Sequence, residues 1–71
     1  MGEEMHYQLI GNKIRLKRIQ LEITQEKMAA ELKISISTYS KNEKHAEDIP
    51  LERFFKIAEL LGIPAEELIS A

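Results

Sequence analysis

Apolar residues recur along this chain at steps of three and four, in short runs separated by polar breaks. No alternating β-branched run and no Asn-Gly hairpin signal interrupts the pattern, so an all-helical chain is expected. The first helix is expected over about residues 8–21, where Ile10, Ile14 and Leu21 share one stripe and Arg18 sits within it. A second, about 24–32, opens at Thr24, whose hydroxyl can accept an orphan amide, and turns Met28, Ala29 and Leu32 inward. The third, about 35–44, opens at Ser35 in the same way. Pro50 begins a fourth, about 50–61, with Leu51, Phe54, Phe55, Ala58 and Leu61 on its apolar stripe. Gly62 supplies the left-handed residue that closes it. A short fifth, about 65–70, opens with Glu66 and Glu67 at the positive end of its dipole.

Five short helices with short connections predict one compact five-helix bundle over 1–71, with Met1–Tyr7 as a lead-in. The expected core adds Ile23, Ile34, Tyr39, Ile63 and Leu68 to the stripe residues already named. A chain of 71 residues makes one domain, and a core of this size is marginal without help. That help is not covalent. There is no cysteine, hence no disulfide and no cysteine-based zinc site, and His6 and His45 are too far apart in sequence to make a metal-ligand pair. No catalytic dyad, phosphate loop or cofactor motif is present, so an enzyme is not expected. No apolar run approaches the ~18 residues of a membrane span. A cytoplasmic protein without membrane, metal or cofactor is the expectation, and dimerisation is the natural source of extra stability.

Charge changes the picture through its distribution. The net charge is −2, yet residues 11–44 carry eight Lys/Arg against four Glu, a local +4. Both flanks are acidic. A basic front and an acidic back matter more than the total, because a partner meets a face and not an average.

The stretch from Thr24 to Glu43 has the form of two capped short helices joined by a tight turn, a helix-turn-helix. Ala29 is small where the second helix approaches its neighbours, Ile34 plugs the corner, and Tyr39 faces inward from the third helix. Opposite Tyr39, helical spacing gathers Ile36, Ser37, Ser40, Lys41 and Lys44. A helix of this kind fits a major groove, with side chains of its N-terminal half at the base edges. The helix starts at Thr24–Gln25 and at Ser35 offer free amides to phosphates.

These residues carry a resemblance. The run Thr24-Gln25-Glu26-Lys27-Met28-Ala29, then Ile34-Ser35, Tyr39-Ser40-Lys41 and Glu43, resembles the phage-repressor/Cro-type (XRE-like) helix-turn-helix family. Lys17-Arg18-Ile19-Gln20-Leu21 resembles the end of that family's first helix, and Pro50 to Leu68 its closing helices. The likeness covers about residues 9–69 and implies a lambda-repressor-like DNA-binding domain. It further implies that Thr24 and Gln25 meet phosphate, that Ile36, Ser37 and Lys41 read bases, and that Ser40 and Lys44 lie near the DNA backbone. Arg18 and Glu43 match a structural ion pair tying helix one to helix three.

The chain departs from the family's pattern at several positions. Glu22, Lys33 and His45 stand at turns that are often glycine, where a left-handed backbone costs about 1 kcal/mol. Asn42 puts an amide on the inner face of helix three, and Ile36 puts an apolar side chain at its tip. Glu47 and Asp48 follow helix three and would weaken phosphate binding. The expected function is sequence-specific binding of double-stranded DNA by a transcriptional regulator, as a homodimer on a palindromic site. The rival reading keeps the fold and makes it a protein-interaction module, antitoxin-like or a regulatory subunit, with a protein partner. Leu60, Ile69 and the closing helix are candidate dimer contacts.

Overall fold

The computed structural model describes residues 3–70. The chain runs α1 (Glu3–Gln20), α2 (Gln25–Leu32), α3 (Ile36–Lys44), a single 3-10 turn (Ala46–Asp48), α4 (Leu51–Leu61) and α5 (Ala65–Ile69). It is all-helical among the described residues. The lead-in expected before Gln8 is helical from Glu3, while Met1 and Gly2 lie outside the described residues. Tyr7 explains the extension, because it packs against the core and holds the first turns of α1 on the stripe of Ile10 and Ile14.

Three helix ends are built from one device. Each has the sequence Leu-x-Ile, namely Leu21-Glu22-Ile23, Leu32-Lys33-Ile34 and Leu61-Gly62-Ile63. In each the middle residue is left-handed, with φ of 59° at Glu22, 59° at Lys33 and 70° at Gly62. In each the isoleucine N–H reaches back to the helix, to the carbonyls of Arg18 (3.0 Å), Ala29 (3.0 Å) and Ala58 (3.1 Å). The left-handed residue's own N–H bonds Ile19, Ala30 and Glu59 in turn. These paired bonds satisfy carbonyls that a helix end leaves free. The three isoleucines then fold back onto the core. After each corner comes the residue that opens the next helix. Thr24 and Ser35 accept the N–H of Lys27 and Thr38 on their hydroxyls, each at 3.0 Å, and Pro64 precedes α5.

His45 does not follow this pattern. Its φ is −133°, so the left-handed turn expected there is absent. The chain instead enters the 3-10 turn, which buries Ala46 against α1.

The core is Ile10, Ile14, Met28, Ala29, Tyr39, Ala46, Phe54, Ile57, Ala58, Leu61 and Leu68. Ile23, Leu32, Ile34 and Ile63 are partly buried around it. Three expected core residues are corrected: Leu21, Leu51 and Phe55 are exposed. Leu21 lies just past the end of α1. The inward stripe of α4 is Phe54, Ile57, Ala58 and Leu61, which turns Leu51 and Phe55 to its flank and brings in the unexpected Ile57. Asn42 is buried, and its Oδ1 accepts from Nη1 of Arg53 at 3.1 Å, linking α3 to α4.

Gly11 sets how closely α1 and α3 approach. A Cβ built on it would stand 2.1 Å from the carbonyl oxygen of Glu43, a backbone atom that cannot swing aside. Gly11→Ala is therefore expected to lower stability by about 1–3 kcal/mol in chemical denaturation, despite alanine's better helix propensity. The left-handed corners predict the reverse sign. Glu22→Gly and Lys33→Gly should each raise stability by about 0.5–1 kcal/mol, because glycine removes the Cβ strain and returns only part of that gain as unfolded-chain entropy.

Candidate nucleic-acid interface

Behind α2 and α3 lies a buried polar cluster. Arg18 comes from the last turn of α1 and Glu43 from the end of α3. Nε of Arg18 donates to Oε2 of Glu43 at 2.6 Å, Nη2 donates to Oε1 at 3.3 Å, and Nη1 donates to the carbonyl of Ile23 at 2.8 Å. Nε2 of Gln25, the first residue of α2, donates to Oε1 of Glu43 at 3.1 Å. One guanidinium and one carboxylate thus hold α1, α2, α3 and the first Leu-x-Ile corner. Burial alone would push the Glu43 carboxyl up. The hydrogen bonds from Arg18 and Gln25, with the guanidinium charge, more than offset that and hold it below the usual carboxylate range. Its bond to Glu43 likewise raises Arg18, which stays charged. The Tyr39 hydroxyl beside them is buried without a hydrogen-bond partner among the described residues, and burial keeps it protonated.

In front of this cluster the residues singled out by the sequence lie at the surface. Thr24, Ser35, Ser37, Lys41 and Lys44 are exposed, Gln25 and Ser40 are half-buried, and Ile36 is 46% exposed at the first position of α3. Thr24 and Ser35 spend their hydroxyl oxygens as caps, which leaves their neighbouring amides at the helix starts. Ser35 also donates to Oγ1 of Thr38 at 2.9 Å. Gln25 is anchored through its nitrogen, so its side-chain oxygen is the end left over.

A groove of about 450 Å³ runs between α1 and α3 and joins residues from three helices. Gln25, Ser40, Glu43 and Lys44 line one side, and Gln8, Asn12 and Arg15 of α1 the other. The three α1 residues were not anticipated as part of the face. The visible signal was their spacing, since Gln8, Asn12 and Arg15 fall at i, i+4 and i+7 on the polar side of the Ile10–Ile14 stripe. Among the described residues Arg15, Lys41 and Lys44 form no ion pair, whereas Glu43, the acid in the groove, is neutralised by Arg18. The face is therefore positive despite the net charge of −2. Glu47 and Asp48 are exposed just beyond α3, and Glu47 lies 3.7 Å from Nδ1 of His45. The described residues contain no cluster of metal-binding side chains and no helix long and apolar enough to cross a membrane.

Capped α2, a tight Leu-x-Ile corner and an outward-facing α3 define a helix-turn-helix. Residues 11–71 match the family model described as a helix-turn-helix domain. The chain is 32% identical over 62 residues to the cryptic phage CTXphi transcriptional repressor RstR of Vibrio cholerae, a match covering 87% of this chain and 56% of that relative. It therefore spans little more than half the length of that curated relative. No solved structure matches the chain significantly. The chain belongs to the phage-repressor, XRE-like helix-turn-helix family.

The buried pair makes a pH prediction. A carboxyl whose folded pKa is depressed contributes stability above its unfolded pKa, near 4.3, and loses it as pH falls through the folded value. The melting temperature of the protein should thus drop on acidification below about pH 4. Glu43→Gln should cost about 3–5 kcal/mol at neutral pH by stranding the guanidinium. The double variant Arg18→Met/Glu43→Leu should recover much of that loss and flatten the acid limb of the melting profile.

Proposed function

We propose that this protein is a sequence-specific DNA-binding transcriptional regulator that places α3 in the major groove and binds a palindromic site as a dimer. The observation carrying the proposal is the positive, unpaired face of α3 and α1 set in front of a locked scaffold. Ile36, Ser37 and Lys41 occupy the outward positions at and after the start of α3 and read base edges, with Ile36 against a thymine methyl. Gln25, Ser40 and Lys44, joined by Arg15 and Asn12 from α1, hold the phosphate backbone, as do the amides at Thr24 and Ser35. Arg18 is scaffold, since its nitrogens are taken up inside the fold. Membership of the family, and a relative named as a transcriptional repressor, support the reading. That family is not one of enzymes, and the regulator acts in the cytoplasm, where the absence of cysteine is no handicap. One α3 reaches only a few base pairs, so two copies spaced one helical turn apart supply the rest of the specificity.

A second reading rests on Ile36. An apolar side chain 46% exposed at the tip of α3, near the acidic Glu47 and Asp48, also suits a protein partner that covers this face, as in an antitoxin-like or regulatory subunit. A specific operator bound by the chain alone decides against it.

The test is a titration of random and selected duplexes at two or more salt concentrations. Binding should weaken steeply with salt. Lys41→Ala should cost about 1–3 kcal/mol and relax specificity at one base pair, whereas Arg15→Ala should weaken all sequences alike and lower the salt slope by about one. No binding at ~50 mM salt, or binding untouched by Lys41→Ala, would sink the proposal.

A further inference from the structure

Leu51 and Phe55 are one turn apart on α4 and belong to neither the core nor the α3 face. Leu51 is 70% exposed and Phe55 is 54% exposed. At i and i+4 they share one side of the helix. Phe55 lies in a broad groove of about 800 Å³ between α4 and the end of α2. Its charged lining is Glu31, Glu52 and Glu59 against Lys33, Arg53 and Lys56. Acids and bases are equal in number, and Lys56 and Glu59 already approach to 3.3 Å within the helix. This groove shares no residue with the groove of Gln8, Arg15 and Lys44.

That balance points to one occupant. A two-fold interface brings a patch against an identical patch, so it must be complementary to itself. A patch of one sign repels its own copy. Leu16 on α1, 58% exposed, fails this condition because Lys13 and Lys17 flank it with only Glu67 in opposition. The α4 flank meets it: Phe55 lies among three charges of each sign, and Leu51, one turn before it, lines the adjoining apolar groove with Ile49 and Ile69. We infer that the α4 flank carrying Leu51 and Phe55 is the docking surface for a second copy of this chain. The inference rests on the reading of the protein as a dimeric DNA-binding regulator and sets aside Leu60 as a dimer contact, while Ile69, itself exposed, lines the groove beside Leu51. Leu60 is half-buried against the core, which leaves it little surface to offer. Ile36, Ser37 and Lys41 do not line this groove. Standard interfaces bury ~800 Å² per partner, roughly a sixth of the 4908 Å² of this molecule.

Sedimentation over a wide concentration range, free and on a duplex with two half-sites taken from a random-library selection, tests this. The wild-type chain should self-associate, and Phe55→Glu should raise the dimer dissociation constant ~30-fold or more. Helicity by circular dichroism checks that the variant folds, and Phe55→Gln serves as the milder replacement if it does not. Because the chain has no cysteine, Leu51→Cys should give a disulfide-linked dimer on mild oxidation, and Leu16→Cys should not. A wild-type chain that is monomeric both free and on DNA overturns the inference. So does a dimer indifferent to both Phe55 variants, or one trapped by Leu16→Cys in place of Leu51→Cys. A wild-type dimer that is sensitive to Phe55 but binds no DNA supports the docking surface and removes the DNA reading. Single half-site binding that survives Phe55→Glu while two-site cooperativity is lost supports both.

Discussion

Arg18 is the residue on which the arrangement of helices one to three depends. Moving a guanidinium and a carboxylate out of water costs several kcal/mol each unless the geometry returns it. Here the geometry is nearly complete. Glu43 takes two of the arginine's nitrogens and Ile23 the third, while Gln25 donates to the carboxylate from α2. A lysine could supply the charge but not the fork that reaches a carboxylate and a backbone carbonyl together. The pair also has an electrostatic consequence outside itself. Glu43 lines the groove that holds Arg15 and Lys44. Unpaired, it would oppose an incoming phosphate; paired to Arg18, it leaves the surface cations to set the sign of the face. Scaffold and electrostatics are here one interaction.

The Leu-x-Ile corners translate that cluster into a shape. Each ends a helix with two backbone bonds, tucks an isoleucine inward and hands the chain to the next helix start. Two of them flank α2, so the orientation of α2 between α1 and α3 is set at both ends by backbone geometry. The first is further pinned because Ile23, its closing residue, gives its carbonyl to Arg18. Gly11 completes the constraint by letting α1 approach the end of α3. Glu22 and Lys33 accept a left-handed backbone that glycine adopts more easily, and the strain is tolerated because two hydrogen bonds and a partly buried isoleucine packed on the core stand against it at each corner.

Local features were legible in the sequence. Thr24 and Ser35 announce caps by residue type, Gly62 announces a corner, and the stripe of Ile10 and Ile14 announces α1. Features that depend on distant partners were not. Nothing near Gly11 indicates that the carbonyl of Glu43 will lie against it. Asn42 looks like a flaw in the inner face of α3 until Arg53, on another helix, reaches its amide. In α4 the apolar residues Leu51, Phe54, Phe55, Ile57, Ala58, Leu60 and Leu61 nearly encircle the helix, so periodicity alone leaves its inward side open. Packing against α1, α2 and α5 chooses Ile57 and leaves Phe55 outside. Resemblance supplied the Arg18–Glu43 pairing, but it carried no information on the contribution of α1 to the groove, since Gln8 lies outside its span and Asn12 and Arg15 are not among its motif residues.

The distribution of charge then bears on how such a domain is used. Its positive face is small, built on Arg15, Lys41 and Lys44, and it is followed by Glu47 and Asp48. Few phosphates neutralised means little affinity per copy, because counterion release scales with their number. Joining two copies makes the second contact intramolecular, which raises affinity without any new contact to DNA. A weak interface adds a further property. When pairing and site occupancy are linked, occupancy rises more steeply than the first power of protein concentration, because paired copies are themselves scarce when the chain is dilute. A domain with a strong, highly basic face would bind singly and lose that steepness. On the proposed dimer, the modest charge of the α3 face and the small apolar flank of α4 act together: each is too weak alone, and it is their coupling that makes the response depend on concentration.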